Sequence, residues 1–300
     1  MRRLRVEACA ARCRRRRSQE GLGRALAVTG SRTVDITRVG GGSRTLVEDL
    51  VAVEEPMEVR VNGAPFAVIM RTPGADRELA AGFLLAEDVI HGYDELGTID
   101  YCVDADAEGH DNTLSVTVIG GAVERLGTRL GERRQVMMTA SCGLCGRRTI
   151  ESLRSRVAAV SGNWTIAAEL VHRLPHALRQ AQNVFETTGG LHAAGLFALD
   201  GTLQVIAEDV GRHNAVDKIV GQRLLEDALP LEESLLLVSG RTSFELVQKA
   251  LLAGIPLIAA VSAPSSLAVR LAQDCGMTLC GFVRGELFNV YAHPHRITGW

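Results

Sequence analysis

Residues 234–252 read SLLLVSGRTSFELVQKALL, a short apolar run followed by a polar loop and a second apolar segment. The run at 234–238 predicts a buried strand, and the segment at 243–252 predicts a helix. Similar strand–helix pairs flank it, and two strands close the chain. These elements are predicted at 203–207, 212–225, 256–261, 265–273, 278–283 and 288–291. Because parallel strands need crossover connections, this order predicts a largely parallel, helix-covered sheet.

The N-terminal half shows the alternating pattern of short strands instead. Asn62-Gly63 separates two of these strands and is a strong signal for a tight hairpin turn. One helix is expected among the strands, with Asp76 as its N-cap. The strands are predicted at 46–53, 57–61, 65–71, 99–103 and 113–119, and helices at 77–87, 149–160 and 167–184. The segment 187–197 fits either a buried helix or a buried strand.

Charge distribution divides the chain. The first 24 residues hold nine Arg against two Glu, whereas the 300-residue chain has a formal net charge of −2, so the remainder is acidic. An acidic body disfavours nucleic-acid binding, because phosphate neutralisation needs clustered Lys and Arg. An RNA-binding arm at 14–17 is the alternative to a solvated tail. We predict a disordered Arg-rich extension at 1–43, a β-rich subdomain at 44–135 and an α/β domain at 136–300.

Cysteine usage and hydropathy indicate the compartment. The seven Cys are odd in number and scattered without a repeated spacing, which argues against the disulfide framework of a secreted protein. The N-terminal region has no apolar run long enough for a signal peptide. The apolar stretch at 251–263 contains Gly254 and Pro256 and is too short for a membrane span. We therefore expect a soluble, cytoplasmic protein.

The loops after the predicted C-terminal strands offer groups that suit an anion. In an open α/β sheet, ligands bind beyond the carboxyl ends of the strands, where helix N-termini present free N–H groups. The loops are EDVGRHN at 208–214, SGRTS at 239–243, SAPSS at 262–266 and FVRGE at 282–286. Ordinary helix capping is the alternative, and none contains a dinucleotide or P-loop fingerprint. We predict a phosphorylated ligand, with candidate contacts at Arg212, His213, Ser239, Arg241 and Ser262.

Three further polar residues near these loops each have two interpretations. Glu208 and Asp209 could accept hydrogen bonds from a guanine edge or a ribose, or orient His213. The alternative is a pair of partly exposed carboxylates that bind Arg212. His192 follows Gly-Gly-Leu and could be either a core histidine or a site residue. The sequence leaves these alternatives open.

The stretch MTASCGLCG places Cys142 and Cys145 close together among small side chains. This arrangement suits metal binding, disulfide exchange or sulfur transfer. A structural zinc needs a second pair of ligands, which Cys275 and Cys280 could supply, although Cys275 is expected to face the core. His192-Ala-Ala lacks the Glu of the zinc deaminases, and the pair lies too late in the chain for a thioredoxin-like enzyme. The remaining interpretation of this cysteine pair is a sulfur carrier, because a thiolate can accept a sulfur atom from a donor persulfide.

Six motifs occur together between residues 45 and 297. They are SCGLCG at 141–146, TGGLHAA at 188–194, EDVGRHNAVDK at 208–218, SGRTS at 239–243 with VQK at 247–249, VSAPSS at 261–266, and GFVRG at 281–285 followed by YAHPHR at 291–296. In this combination the chain resembles the FdhD family of formate dehydrogenase accessory sulfurtransferases.

The resemblance implies a cytoplasmic sulfurtransferase. Such a protein takes sulfur from a cysteine desulfurase as a cysteine persulfide. It delivers the sulfur to the molybdenum or tungsten bis-guanine-dinucleotide pterin cofactor that formate dehydrogenase requires. The resemblance also implies a homodimer, no intrinsic metal, and a cytidine-deaminase-like three-layer α/β sheet without the deaminase zinc site. The alternative from another class is a chaperone that holds and inserts the pterin cofactor without sulfur transfer.

The resemblance also assigns residues by position. Cys142 holds the persulfide, and Cys145 is the assisting thiol. As a hypothesis for the mechanism, we place the guanosine phosphates of the cofactor, which is the bound substrate, on the loops around Arg212, Arg241 and Arg284. The residues that line the pterin-dinucleotide site are Phe282, Val283, Arg284, Gly285, Glu286 and Leu287.

Overall fold

A computed structural model of the chain describes residues 30–102, 112–133, 160 and 164–300. Its first elements are β1 (Ser31–Gly40) and β2 (Ser43–Ala52), which pair antiparallel as a separate, largely exposed hairpin. The disordered extension predicted at 1–43 is therefore wrong for its last part; residues 1–29 lie outside the described residues. Thr, Val and Ile are frequent in β1, and these β-branched residues favour strands.

A four-stranded sheet and two helices follow. The strands lie in the spatial order β4-β3-β6-β5. The hairpin predicted at Asn62-Gly63 joins β3 to β4, and both residues have the positive φ angles that this turn requires. The elements are β3 (Glu55–Val61), β4 (Ala64–Arg71), α1 (Asp76–Ala86), β5 (Leu96–Tyr101), β6 (Thr113–Val118) and α2 (Ala122–Arg133).

The start of α1 differs from the prediction. Ala75 is the N-cap, in the left-handed conformation and without a side-chain cap. Asp76 is the first helical residue, and its carboxylate binds the buried Arg71 guanidinium at 2.9 Å. It also accepts a hydrogen bond from the Tyr101 hydroxyl at 2.9 Å. The carboxylate is thus committed to an ion pair, which leaves it no role as a cap.

Helix α2 is absent from the sequence prediction. Ala122 and Leu126 are spaced by four residues and are both buried, so they form the apolar side of the helix. The surrounding Arg, Glu and Gly residues obscure this short pattern in the sequence. The helix predicted at 149–160 lies almost wholly outside the described residues.

The C-terminal half builds a six-stranded sheet with helices on both faces. A short parallel pair, β7 and β14, lies apart from it. The elements are β7 (Ile166–Ala167), α3 (Ala168–Ala181), α4 (Asn183–Thr188), β8 (His192–Ala198), β9 (Leu203–Asp209), α5 (Arg212–Leu225), β10 (Ser234–Val238), α6 (Phe244–Leu252), β11 (Leu257–Ala260), α7 (Ser266–Cys275), β12 (Thr278–Arg284), β13 (Leu287–Ala292) and β14 (Ile297–Thr298).

The six strands lie in the order β13-β12-β11-β10-β8-β9, and the sheet is mixed. Only β10–β11 and β11–β12 pair in parallel. The prediction of a largely parallel sheet is therefore wrong. Strand β8 forms a hairpin with β9 and inserts between β9 and β10, and β13 folds back on β12. The strands connected by helices, β9 to β12, still run in one direction, as crossover connections require.

Layered packing places the architecture in the α/β class. Helix α3 covers one face of the six-stranded sheet, and α5, α6 and α7 cover the other. The three layers agree with the prediction, whereas the likeness to cytidine deaminase stays a prediction. None of the helices in the described ranges is long and apolar enough to cross a membrane.

The two halves of the molecule share one hydrophobic core. Met57 of β3 and Leu79 of α1 belong to the same buried cluster as Val216 of α5 and Leu236 of β10. The predicted boundary between residues 135 and 136 therefore does not separate two independent cores among the described residues.

Helices α1 and α5 cross where both carry a glycine. A methyl group on Gly82 would lie 2.0 Å from the backbone oxygen of Asp217, and one on Gly221 would lie 1.8 Å from that of Glu78. Real side chains do not tolerate such distances, so only glycine fits at either position. This crossing joins the N-terminal sheet to the layer of helices beside the six-stranded sheet.

Candidate functional site

The loops predicted to bind an anion lie along one edge of the six-stranded sheet. Strands β9 to β12 end at this edge, and β8 starts there, because His192 pairs with Asp209. On its other side β8 pairs with β10, with Ala194 opposite Val238. We call this edge, formed by the start of β8 and the loops after β9, β10, β11 and β12, the rim. The structure therefore brings the predicted loops together.

Helix α5 begins at the rim with Arg212. Its N-cap is Gly211, so no side chain caps the first turn, and no acidic residue lies in that turn. A helix start favours anions, since its first N–H groups point outward. The Arg212 Nε is buried and has no hydrogen-bond partner among the described residues. A methyl group on Gly240 would lie 3.4 Å from His192 Nδ1 and 3.5 Å from Arg212 Cδ, so these three residues are neighbours.

His192 is half-buried beside cationic groups. Burial lowers the pKa of its imidazole, Arg212 and Arg241 lower it further, and Asp209 opposes them. The ring is therefore uncharged at neutral pH. Of the two interpretations left open for His192, this position at the rim fits a site residue.

His213 lies in the first turn of α5 and contacts the start of α6. Its Nε2 lies 3.1 Å from Ser243 Oγ and 3.4 Å from Glu245 Oε2. Burial lowers the pKa of His213 to about 4; Glu245 opposes this shift, and Lys249 and Arg212 add to it. The positive charge of the rim at neutral pH thus comes from its arginines rather than from its histidines.

A backbone connection joins two of the rim loops. The Thr242 N–H donates to the Ala263 carbonyl at 3.1 Å, and the Ser265 N–H donates to the Thr242 carbonyl at 2.9 Å. The loop that carries Arg241 is therefore fixed against the loop that carries Ser262. The Thr242 hydroxyl oxygen is buried and finds no hydrogen-bond partner in the part of the chain that the structure describes.

Ser239 already has a structural partner. Its hydroxyl oxygen accepts a hydrogen bond from the Ala193 N–H at 2.9 Å, and its own N–H donates to the Ala193 carbonyl at 2.9 Å. These bonds extend the pairing of β8 with β10 by one residue. The hydroxyl proton is what Ser239 can still offer a ligand.

The segment 282–287 lies at the end of β12 and the turn to β13. Phe282 is exposed, has a φ of +54°, and its ring lies 6.0 Å from the Arg284 guanidinium carbon. The Arg284 Nε donates to the Val261 carbonyl at 3.1 Å, which holds the side chain against the loop after β11. Val283 is fully buried in the core beneath α3, so its side chain does not face the rim.

The other three residues of this segment form the hairpin turn and the start of β13. Gly285 has a φ of +55°, and Glu286 and Leu287 are exposed. Leu287 pairs with Arg284 across the turn. Their exposure leaves these residues free to contact a ligand that extends beyond the rim.

The sequence left two interpretations open for the acidic residues before α5, ligand contacts or a pairing with Arg212. In the structure both residues have other, structural partners. The Glu208 carboxylate accepts the N–H groups of two residues in the first turn of α4, at 2.8 and 2.9 Å. Asp209 is completely buried and lies 2.8 Å from Lys218 Nζ. It also accepts the Thr72 N–H at 3.2 Å. A free carboxylate would repel phosphate, and neither group is free.

The cysteine pair at Cys142 and Cys145 lies outside the described residues. Cys275 and Cys280 are both buried, and they belong to core clusters on opposite faces of the six-stranded sheet. The expectation that Cys275 faces the core is confirmed, and burial raises the pKa of the Cys280 thiol to about 12. These two residues cannot provide a second pair of zinc ligands. Within the described ranges, no group of three or more potential ligands could hold a metal ion.

The sequence also matches the model of a known protein family. The model of the FdhD/NarQ family matches residues 52–298, which include every described loop of the rim. The chain belongs to the FdhD/NarQ family. The resemblance inferred from the six motifs is thereby confirmed.

Curated members of the family are similar over most of their length. The protein named sulfur carrier protein FdhD from Streptomyces avermitilis is 50% identical over 270 residues, covering 87% of this chain and 94% of that protein. Its namesake from Mycobacterium tuberculosis is 49% identical over 257 residues, covering 83% and 92%. A crystal structure of a candidate formate dehydrogenase accessory protein from Desulfotalea psychrophila matches with a TM-score of 0.70 and 26% identity, covering 90% of this chain and 100% of that one.

The sequence did not predict the contacts of several other residues at the rim. Gly240 provides room between His192 and Arg212, and Glu245 contacts His213 from helix α6. Gly240 and Ser243 do lie in a loop that the sequence had singled out, whereas Glu245 reads as an ordinary acidic residue of a helix start. Only the packing of α5 against α6 reveals its contact.

Proposed function

We propose that this chain is a sulfurtransferase of formate dehydrogenase maturation. It accepts sulfur from a cysteine desulfurase as a persulfide on Cys142 and delivers it to a molybdenum or tungsten bis-guanine-dinucleotide pterin cofactor bound at the rim. Membership of the FdhD/NarQ family supports the proposal, as do relatives named sulfur carrier protein FdhD. The observation that carries the cofactor site is the buried, unpaired Arg212 Nε beside a helix start without a cap or an acidic residue.

The rim offers charge and hydrogen-bond donors that suit a dinucleotide. Arg212 lies beside Gly240, and Arg241 follows Gly240 in the chain; both arginines are near enough to His192 to lower the pKa of its imidazole. A guanidinium binds phosphate oxygens through paired N–H groups, and the start of α5 adds backbone N–H groups. Exposed Phe282 beside Arg284 supplies an aromatic face on which a planar ring can stack. We assign the phosphates to the arginines and a planar group to Phe282.

Sulfur transfer needs two thiols in this proposal. The Cys142 thiolate attacks the terminal sulfur of the donor's persulfide; an S–S bond forms at Cys142 while the donor's S–S bond breaks and its thiolate leaves. Cys145 then attacks the Cys142 sulfur, forms a disulfide and releases the terminal sulfur as sulfide to the metal of the cofactor. A cellular dithiol reductant restores both thiols. The electrons that reduce the sulfane sulfur therefore come from the Cys142–Cys145 pair.

Binding of GDP tests the cofactor site. Arg212→Ala and Arg241→Ala should each weaken GDP binding by about tenfold to a hundredfold, the loss of one charge-assisted contact. Isothermal titration calorimetry measures this. Arg270→Ala is the matched control, since Arg270 is an exposed arginine of α7 and should leave the affinity unchanged. Equal affinity in all four proteins would contradict the assignment of the phosphates.

Mass spectrometry tests the sulfur step separately. After incubation with a cysteine desulfurase and cysteine, the peptide that contains Cys142 and Cys145 should gain about 32 Da, one sulfur atom. Cys142→Ala should abolish the adduct and formate dehydrogenase maturation while retaining GDP affinity. The alternative function, a chaperone that inserts the pterin cofactor without handling sulfur, predicts GDP binding without the adduct.

The proposal also includes the partners, the compartment, the oligomeric state and the metal content of the protein. The partners are a cysteine desulfurase as donor and formate dehydrogenase as the recipient of the cofactor, and the protein acts in the cytoplasm as a homodimer. We expect no resident metal, so metal analysis of the purified protein should find no stoichiometric zinc. Stoichiometric zinc bound by Cys142 and Cys145 would contradict persulfide chemistry at this pair.

A further inference from the structure

Two helices of the same layer start with a serine, but only one of these serines caps its helix. Ser265 accepts the Ala268 N–H at 3.2 Å, which is the usual role of a serine at an N-cap. Ser243 is the N-cap of α6, yet its side chain makes no capping hydrogen bond. Its hydroxyl oxygen lies 3.1 Å from His213 Nε2 instead. The Ser243 side chain thus contacts His213 instead of capping the backbone of α6.

The position of Glu245 bears on which ring nitrogen of His213 carries the proton. Its Oε2 lies 3.4 Å from His213 Nε2, the same nitrogen that faces Ser243. An ionised carboxylate only accepts hydrogen bonds. A bare Nε2 lone pair would face the carboxylate with like polarity, whereas an Nε2–H is attracted to it. This contact therefore favours the tautomer with the proton on Nε2, which leaves Nδ1 as an acceptor.

A buried ion pair stands behind Glu245. Lys249 Nζ lies 3.7 Å from Glu245 Oε1, one turn along α6. The same ammonium group binds both carboxylate oxygens of Asp217, at 2.7 and 2.8 Å. The side chains of Lys249 and Asp217 are only 4% and 3% exposed. A buried group with two short bonds has little freedom, so Lys249 provides a fixed cation beside Glu245.

We propose that Glu245 is a positioning residue that holds His213 with its proton on Nε2, and that the Lys249–Asp217 pair fixes Glu245 in turn. The proposal rests on the rim as the binding site proposed above, and it adds a defined polarity to that site. His213 then presents a bare Nδ1, which accepts a hydrogen bond from an N–H or O–H group of the bound ligand. The arginines bind the anionic part of the ligand, and His213 binds a donor.

The charges around His213 are consistent with a neutral ring. Glu245 and Lys249 face it from α6, Arg212 precedes it on α5, and His192 faces it from β8. Only Glu245 among these favours the protonated form, and burial of the ring outweighs it. A neutral ring has one donor and one acceptor, so fixing the donor also fixes the acceptor.

Nitrogen-15 spectroscopy of the histidine rings tests this directly on the full chain. The His213 signals are identified by their absence from His213→Gln. At neutral pH, the wild-type ring should show a bare Nδ1 and a protonated Nε2. Glu245→Ala should lower the fraction of this tautomer, whereas Glu245→Gln should keep it, because the amide carbonyl still accepts a hydrogen bond. Glu233→Gln, the same substitution at an exposed position, is the control. A wild-type ring with its proton on Nδ1, or an unchanged spectrum in Glu245→Ala, would overturn the proposal.

Measuring GDP binding tests whether the tautomer of His213 affects ligand binding at the rim. Glu245→Ala should weaken GDP binding by about threefold to tenfold, the loss of one ordinary hydrogen bond, and Glu245→Gln should restore it. A purely structural role of Glu245 at the start of α6 would not distinguish the two variants. If the wild-type protein shows the expected tautomer but does not bind GDP, the proposed function fails while the positioning of His213 stands.

The support from Lys249 is tested by removing the buried pair as a unit. The double variant Asp217→Leu, Lys249→Met leaves no unpaired buried charge, so it should remain folded. Its Glu245 lacks the fixed cation, and the His213 ring should populate both tautomers. A spectrum identical to that of the wild type would remove Lys249 and Asp217 from the proposal.

Discussion

Helix α5 belongs to two different regions of the molecule. Its middle lies at the crossing with α1, and its first turn lies at the rim. In the middle, where it crosses α1, Gly221 lies against the backbone of α1, and Asp217 is paired with Lys249. At its first turn, at the rim, the buried Arg212 Nε has no partner among the described residues, and the His213 ring lies 3.1 Å from Ser243 Oγ at the start of α6. The buried Asp217 near the crossing thus has a partner, whereas at the rim a buried donor has none among the described residues.

The residues of the two regions meet different physical requirements. At the crossing, close packing of two backbones demands glycine, and buried charges demand partners. At the rim, the same helix would be more stable with a serine or aspartate cap and an acidic first turn. The chain has Gly211, Arg212 and His213 there instead. Stability accounts for the residues at the crossing, and the proposed binding of an anionic ligand would account for those at the rim.

Substitution of Gly221 should have the largest effect. Gly221→Ala places a methyl group 1.8 Å from the backbone oxygen of Glu78, which cannot move without separating the helices. We expect a loss of about 5 kcal/mol in the free energy of unfolding, measured by denaturant titration. Gly127→Ala in α2 is the control: its methyl group meets open space, so the variant should gain up to about 1 kcal/mol. Similar stability of both variants would show that the helices do not cross so closely.

Breaking the buried pair beside the crossing should have the next largest effect. Lys249→Met leaves the Asp217 carboxylate buried without its cation, which should cost about 3–4 kcal/mol. Adding Asp217→Leu should recover most of this loss. By contrast, Arg77→Ala removes one partner of an exposed pair with Asp100 and should cost less than about 1 kcal/mol. A double variant as unstable as Lys249→Met would indicate that packing, not charge, stabilises this position.

Acidification should destabilise the rim. The pKa of His213 is about 4 in the folded protein and near 6.5 in the unfolded chain, so the unfolded chain binds the proton first. Stability is therefore lost as pH falls from about 6.5 towards 4. After allowance for partial exposure, the loss should be about 2 kcal/mol. Measuring unfolding at several pH values for the wild type and His213→Gln isolates it, because the variant lacks the group. Parallel pH profiles would contradict the burial of a neutral ring.

The two serines at helix starts should show the smallest difference. Ser265→Ala removes a capping hydrogen bond and should cost about 1 kcal/mol. Ser243→Ala removes no capping bond but loses the contact with His213, so it should cost only about 0.5 kcal/mol. Thermal unfolding of both variants measures this. Equal losses would mean that Ser243 stabilises α6 in the usual way.

The sequence predicted local structure in the C-terminal half well. Helix α5 and strand β10 have the predicted bounds, because turn residues surround clear apolar patterns there. Strand pairing could not be predicted as well. A short turn joins β8 to β9, and the sequence does not state which neighbour the other side of β8 will pair with. The mixed sheet is thus a result of long-range pairing.

The candidate site was predictable in its loops but not in the partners of each side chain. Arg212 and Arg241 were expected at the rim because loops after strands meet at one edge of a sheet. Ligand contacts were one of two interpretations that the sequence left open for Glu208 and Asp209, yet Glu208 caps α4 and Asp209 pairs with Lys218. Their partners are 23 or 24 residues away for Glu208 and, for the Thr72 bond of Asp209, 137 residues away. No local pattern reports such distant contacts.

Strand β8, which runs opposite to its two neighbours, also sets the spacing of two helix starts at the rim. A crossover helix directly between adjacent parallel strands would bring two helix starts side by side. Here β8 separates β9 from β10, so the starts of α5 and α6 are spaced by about two strand separations, roughly 10 Å. His213 and Ser243 contact each other across this spacing, so the two helix starts are connected there by side chains.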